Sequence, residues 1–215
     1  MKSAVIFYHK NIKSIYNIEW INECIDSIKN QSYQEFDVFE LNYGEDNIQY
    51  CNNIKIPYLY YNIPFINHID AMNFIISEIF NKGYDVIFNI NMDDHYHEKR
   101  FEKQIEKIKE GYQLVSSNFY YVSDHKNIIY DMNMTSYKDI GENLNRNHNV
   151  IAHPVVCIHK SFWDEDLHYK NLLGFEDLDL WQRAYHKGKK MIILNDYLLY
   201  YRIHQNQITK IHPGK

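Results

Sequence analysis

Two adjacent acidic residues, Asp93 and Asp94, follow shortly after an apolar run at residues 84–88. Such a run is typical of a buried strand, so the two carboxylates are predicted to emerge where that strand stops. Neighbouring like charges repel, and a cation that binds both relieves the repulsion. The pattern favours a hard cation with oxygen ligands, Mg²⁺ or Mn²⁺, that works together with phosphate. The alternative is a polar turn whose aspartates cap the following helix.

A second acidic pair, Glu176 and Asp177, stands at the start of a predicted helix. Gly174 precedes the pair and permits an unusual backbone turn. The pair could therefore aim a carboxylate into a cleft, where it would serve as a general base. Helix capping is again the alternative, because acidic side chains in a first helical turn interact favourably with the helix dipole.

A third polar cluster lies near the end of the chain, where Arg202 and His204 flank Ile203. In an extended segment alternate side chains share one face, so the two polar residues are predicted to point the same way. Arginine suits phosphate, and a neutral histidine suits a transition metal. An exposed polar tail remains the alternative.

Other histidines are weaker candidates. A zinc site built from Asp93, His95 and His97 is conceivable, but no metal-ligand spacing elsewhere supports it. His153 and His159 are candidates for the cleft, although a lone histidine is more often structural.

The elements that must position these residues follow from the apolar periodicity. Strands are predicted at residues 4–8, 37–41, 57–61, 84–90, 114–122, 154–158, 191–194 and 198–201. Helices are predicted over about 18–30, 66–80, 101–108 and 177–185, and residues 123–150 form a loop or small insertion. The alternation in the first 120 residues predicts an α/β fold with a mainly parallel sheet covered on both faces. Ligands bind such sheets at the carboxyl ends of the strands, where the first acidic pair stands.

The composition excludes several classes. The formal net charge of −5 gives no basic surface for nucleic acid. No run approaches the ~20 apolar residues of a membrane span. The three cysteines are far apart and odd in number, which indicates a reducing, cytoplasmic setting. Neither a Gly-x-x-x-x-Gly-Lys-Ser/Thr nor a Gly-x-Gly-x-x-Gly motif occurs, so phosphate charge would be met by metal, arginine and histidine.

Five segments, taken in order, resemble a GT-A glycosyltransferase of the inverting family 2 type. The resemblance covers nearly the whole chain and is weakest at residues 123–150. It is carried by E-C-I-D-S-I-K-N-Q-S-Y at 23–33, A-M-N at 71–73, N-M-D-D at 91–94, G-F-E-D-L-D-L-W-Q-R at 174–183 and Y-R-I-H-Q-N-Q-I-T at 201–209. It implies a GT-A Rossmann-like, mixed and mainly parallel sheet in one domain, with a nucleotide-sugar half at 1–120 and an acceptor and catalytic half at 121–215.

The resemblance also implies a role for each site residue. Asp93 would hold Mn²⁺ or Mg²⁺ on the donor diphosphate, and Asp94 would support that ligand or touch the donor sugar. Asp177 would take the proton of the acceptor hydroxyl, with Glu176 shaping the acceptor side. Two further residues would serve the metal and the diphosphate: His204 would complete the metal shell or meet the diphosphate, and Arg202 would assist.

Two departures from the family pattern matter. Asn91 stands where the family's metal motif begins with aspartate, which removes one charge and weakens cation affinity. Asn91 can still hydrogen-bond a ribose or a metal-bound water. The family's D-D-G-S turn is also absent, and residues 41–46 read L-N-Y-G-E-D instead, which leaves Tyr43 as a candidate for stacking on the base.

The expected function is transfer of a sugar from a UDP- or GDP-linked donor to a glycan or other hydroxyl acceptor, with inversion. Two alternatives stay open: a catalytically weak or inactive nucleotide-sugar-binding protein on the same fold, and a nucleotidyltransferase. The second usually needs a glycine-rich basic loop near its N-terminus, which residues 9–13 lack.

Overall fold

Four parallel strands form the first part of the sheet in the computed structural model, which describes residues 1–205 and 207. These are β1 (Ser3–His9), β2 (Phe36–Asn42), β3 (Tyr58–Asn62) and β4 (Val86–Ile90), paired in the order β3-β2-β1-β4. All five residues of β4 are buried. Strands that are covered on both faces read as continuous apolar runs, which is why the sequence reveals them.

Three amphipathic helices cover these strands: α1 (Ile18–Lys29), α2 (His68–Asn81) and α3 (Arg100–Lys109). The side chains of Asn17 and Asn67 accept hydrogen bonds from the first turns of α1 and α2, which fixes where these helices begin. The crossovers from β1 to β2 and from β3 to β4 run in opposite directions along the sheet. Right-handed crossovers therefore place α1 and α2 on opposite faces.

The rest of the sheet is mixed. It contains β5 (His95–Tyr96), β6 (Leu114–Val122), β7 (Ile128–Met132), β8 (Cys157–His159) and β9 (Met191–Arg202). Over the described residues the nine strands lie in the order β3-β2-β1-β4-β8-β6-β9-β5, with β7 attached to β6. β8 is antiparallel to β4 and β6, whereas β6 and β9 are parallel. The predicted α/β class with a mixed, mainly parallel sheet is confirmed.

The second half departs from the sequence prediction in three places. Residues 123–150 are not a plain loop, because they form β7, a 3₁₀ helix (Met134–Tyr137) and α4 (Ile140–Asn145). The predicted strand at 154–158 is a 3₁₀ helix (His153–Val155) followed by β8. The two predicted closing strands are one strand, β9, whose pairing register shifts near Asn118. At this shift the Asn118 side chain donates to the carbonyl of Asn195, 3.0 Å away. The local break in strand pairing resembles a turn in the sequence.

The last helix, α5 (Glu176–His186), begins one residue before its predicted start. Gly174, at φ +99°, supplies the left-handed backbone just before it. The predicted boundary at residue 120, between a nucleotide-sugar half and an acceptor and catalytic half, lies inside β6. The division therefore stays a proposal about function. Among residues 1–205 and 207, no helix combines the length and apolar character needed to cross a bilayer.

Candidate active site

A cavity of about 860 Å³ opens at the carboxyl ends of β1 and β4. Asn91 and Asp93, which follow β4, lie in its wall together with Glu176 and Asp177 at the start of α5. The fold thus brings together two acidic clusters that are more than 80 residues apart in the chain. Tyr43, the sequence candidate for stacking on a base, lines the same cavity.

Asp93 and His204 form a buried pair beside the cavity. The Oδ2 atom of Asp93 lies 2.9 Å from Nε2 of His204, and their side chains are 12% and 3% exposed. The histidine ring packs against Trp20 and Tyr16, with ring centroids 5.0 and 5.4 Å away. The third predicted cluster therefore reaches the first one through His204, while Asn206, Ile208 and Thr209 lie outside the described residues.

Asp94 points into the protein. It is 1% exposed, and its Oδ1 accepts a hydrogen bond of 2.8 Å from the backbone nitrogen of Arg202. Within the described residues its Oδ2 is buried without a hydrogen-bond partner. Burial, and then the neighbouring Asp93 charge, hold the pKa of Asp94 well above its usual range.

The guanidinium of Arg202 is occupied by protein groups. Arg202 is fully buried and donates to the backbone oxygens of Asp93 and Asp124, at 2.9 and 2.7 Å. It also donates to a carboxylate oxygen of Glu23, 2.6 Å away. These contacts connect the segment that carries Asp93 to α1 and β9. Arg202 therefore positions Asp93.

Both carboxylate oxygens of Asp177 accept hydrogen bonds, which fix the orientation of the carboxylate. Its Oδ1 accepts from the backbone nitrogen of Leu178 at 2.8 Å, and its Oδ2 accepts from the side chain of Asn149 at 2.7 Å. Glu176 accepts a hydrogen bond of 2.9 Å from the backbone nitrogen of Gly174 and so stabilises the turn before α5. Both acids are only partly buried, which leaves them accessible from the cavity.

The zinc alternative is not formed. Among residues 1–205 and 207, no group of three or more His, Cys, Asp or Glu side chains could hold a metal ion. The His95 ring stacks on Tyr200 with centroids 4.5 Å apart, and burial lowers the pKa of His95 to about 4. Nδ1 of His97 accepts a hydrogen bond from the backbone nitrogen of Lys99.

The donor set at Asp93 does suit a metal that arrives with phosphate. Mg²⁺ in such sites is usually bound by one or two protein carboxylates, with substrate phosphates and water as the other ligands. Asp93 supplies one carboxylate at the cavity wall, and His204 supplies an imidazole beside it. A preformed cluster of three protein ligands is not required in this mode.

Several residues at the site were missed from the sequence. Tyr96 binds the backbone of Asn91, whose nitrogen donates to the tyrosine hydroxyl at 2.8 Å. Asn149 orients Asp177, and Glu23 balances the charge of Arg202. No local signal marks these partners, because each pairing joins residues that only the fold brings together.

Solved structures share this architecture. The structure of TarS residues 1–349 from S. aureus matches with a TM-score of 0.70 and 16% identity, over 94% of this chain and 60% of that chain. A mannosyltransferase from Pyrobaculum calidifontis, solved with GDP-Man and Mn²⁺, matches with a TM-score of 0.63 and 9% identity, over 95% of this chain and 57% of that one. The chain thus spans about 60% of the length of these structures. The fold is therefore the GT-A fold.

The chain belongs to glycosyl transferase family 2, whose family model matches residues 12–167. It is also similar to the O-antigen biosynthesis glycosyltransferase WbnJ of Escherichia coli, with 23% identity over 223 residues. That alignment covers 98% of this chain and 82% of the relative. The resemblance found in the sequence is confirmed.

Proposed function

We propose that the protein transfers a sugar from a nucleoside diphosphate donor to an acceptor hydroxyl, with inversion at the anomeric carbon. The observation that carries the proposal is the single cavity into which Asp93 and Asp177 both open. One acid suits the diphosphate end of a donor, through a cation, and the other suits an incoming hydroxyl. Family membership supports the same reaction class.

Asp177 is the general base of the proposed reaction. Its carboxylate takes the proton of the acceptor hydroxyl while the oxygen attacks the anomeric carbon from the face opposite the diphosphate. General-base help of this kind contributes about 10²–10⁴-fold to a rate. The hydrogen bonds from Asn149 and Leu178 fix the orientation of the carboxylate before the acceptor arrives. Glu176 shapes the acceptor side of the cavity.

Asp93 and His204 would hold Mn²⁺ or Mg²⁺ at the diphosphate. A bound divalent cation would neutralise the charge that grows on the leaving nucleoside diphosphate. Arg202 holds Asp93 in place by donating a hydrogen bond to the backbone oxygen of Asp93. The carboxylate of Asp94 in turn accepts a hydrogen bond from the backbone nitrogen of Arg202. Asn91, at the cavity wall, would hydrogen-bond the ribose or a water of the cation.

The named ligands of related structures support a nucleotide-sugar donor. TarS has been solved with UDP, and the P. calidifontis mannosyltransferase with GDP-Man and Mn²⁺. We accordingly propose a UDP- or GDP-linked donor and a glycan or other hydroxyl acceptor. The three cysteines are buried and unpaired, which suits the cytoplasmic location that we propose.

Asp177→Asn tests the assignment of the base. The variant should lose transfer by about 10²–10⁴-fold, because an amide cannot accept the proton, and should keep its affinity for the donor. Asp166→Asn, at an exposed aspartate that pairs with Lys187, is the matched control and should keep normal transfer. Full transfer activity in purified Asp177→Asn would refute the assignment.

One alternative keeps a specific observation in its favour. Asn91 stands where the family's metal motif has a carboxylate, as expected for a nucleotide-sugar-binding protein with weak or no catalysis. A UDP- or GDP-release assay with candidate donors and Mn²⁺ separates the two functions. Binding without release, with and without acceptors, would favour the alternative.

A further inference from the structure

Two polar side chains outside the acidic clusters meet in the wall of the cavity. Nε2 of His153 lies 3.0 Å from the hydroxyl oxygen of Tyr169, and both residues line the cavity. Tyr169 is 4% exposed, whereas His153 is half-buried. The mechanism proposed above assigns no role to this pair.

The backbones of both residues are fixed by amide side chains. Asn73 donates to the carbonyl of Tyr169 and accepts from its nitrogen, both at 2.9 Å. Asn89, on β4, donates to the carbonyl of His153 at 3.2 Å. The ring of Trp181 packs near both, with centroids 6.2 Å from each. A pair held this firmly at a cavity wall is preorganised to bind a ligand.

The pair lines the same cavity as the two acidic clusters and is connected to both. Tyr96 donates to the carbonyl of Pro154, which follows His153, and accepts from the nitrogen of Asn91, so the pair adjoins the donor-diphosphate end. On the other side, Asn149, four residues before His153, donates to the carboxylate of Asp177 at 2.7 Å. In a nucleotide sugar the anomeric carbon is bonded to the diphosphate. A base that faces this carbon must therefore have the sugar between itself and the diphosphate.

The chemistry of the pair matches a sugar hydroxyl. Burial lowers the pKa of His153 and raises that of Tyr169, so both are neutral near pH 7. Their mutual hydrogen bond uses one donor and one acceptor. Whichever residue donates, one N–H or O–H donor and one acceptor remain. A sugar hydroxyl both donates and accepts, so it can pair with the Tyr169 oxygen whichever residue donates in the His153–Tyr169 bond.

We propose that the His153–Tyr169 pair hydrogen-bonds a hydroxyl of the transferred sugar and selects the donor by the position of that hydroxyl. The proposal rests on the proposed glycosyltransferase function. It assigns sugar selection to residues that lie outside the acidic motifs. A site built to pair with a hydroxyl discriminates strongly against a ligand that lacks it, because its own polar groups are then left unpaired.

Calorimetry on Tyr169→Phe tests the proposal, with the donor first identified by screening nucleotide sugars against the wild type. The variant keeps the ring and loses only the hydroxyl. Its affinity for the intact nucleotide sugar should fall about tenfold, the effect of one lost hydrogen bond. Its affinity for the nucleoside diphosphate, which has no sugar, should be unchanged. Tyr60→Phe is the matched control. It removes a hydroxyl on β3 that donates to the side chain of Asn47, and it should change neither affinity.

Deoxy analogues of the donor sugar supply the second measurement. The wild type should reject one analogue in particular, and Tyr169→Phe should accept that analogue and the parent sugar equally. His153→Phe should show the same loss of discrimination, which covers the case in which Tyr169→Phe folds poorly. Equal losses for nucleotide sugar and nucleoside diphosphate, or unchanged discrimination in both variants, would overturn the inference. A wild type that binds neither ligand would overturn the proposed function as well.

Discussion

Glu23→Gln is the sharpest perturbation of the framework that holds Asp93. Arg202 is fully buried, and Glu23 is the carboxylate 2.6 Å from its guanidinium. Breaking a fully buried ion pair costs about 3–5 kcal/mol, whereas an exposed pair is worth about 0–1 kcal/mol. The Glu23 side chain is 27% exposed and also pairs with Lys126 at 2.8 Å, so we expect an intermediate loss of about 2 kcal/mol. For a chain of this size that lowers Tm by about 4–8 °C.

Thermal and urea unfolding of the purified variant measure this loss. The matched control is Asp26→Asn on the same helix, whose exposed pair with Lys29 should contribute less than about 0.5 kcal/mol. Partial burial alone would raise the pKa of Glu23, but hydrogen bonds from Lys126 and Arg202 hold it below 4.5. The contribution of Glu23 is therefore complete above pH 4.5 and is lost as the pH falls through the lower folded pKa. Equal shifts in both variants, or a difference from wild type that does not narrow in acid, would refute the reasoning.

Two further changes test the site and the packing around it. Asp93→Ala should abolish the Mn²⁺-dependent part of nucleoside diphosphate binding, because it removes the carboxylate at the cavity wall; calorimetric binding that responds to Mn²⁺ as in the wild type would contradict this. Gly141→Ala should lower the free energy of unfolding by about 1 kcal/mol, because the added methyl group would meet the far end of the Tyr185 ring, which is 39% exposed and must turn aside. An unchanged urea midpoint would show that the α4–α5 contact can yield.

The sequence predicted the fold where burial produces a clear period. The strands β1, β2 and β4 read as apolar runs and the helices α1 and α2 as amphipathic stripes, because the core covers them. The prediction of a loop at residues 123–150 was wrong for the opposite reason. Four of the five residues of β7 are exposed, so this strand shows no alternation of apolar and polar residues. At six residues, α4 is too short to display a helical period.

The candidate site was predictable only in its charges. Acidic residues at strand and helix ends stand out in a sequence because isolated carboxylates are costly to bury. Their direction is not visible in the same way: Asp93 opens on the cavity, while its neighbour Asp94 turns inward to the backbone of Arg202. Tyr169 gave no signal at all, because its proposed role depends on a pairing with His153 and on the distant Asn73.

The side chain of Asp94 points inward, and position 91 carries asparagine instead of aspartate. Together these two features determine how much negative charge faces the cavity. Of the three polar side chains at positions 91, 93 and 94, only Asp93 brings a formal negative charge to the cavity wall. A donor diphosphate is itself anionic, and a second carboxylate at this wall would repel it unless a cation were already bound. In the proposed mechanism, one carboxylate makes the free protein a weak cation site, and the diphosphate would supply most of the ligands. In the proposed mechanism, cation and donor therefore raise each other's affinity by the same factor. With Asn91 in place of aspartate, the proposed mechanism assigns most of the cation's ligands to the substrate rather than to the protein. This is compatible with catalysis, because the cation would be needed only while the diphosphate is present.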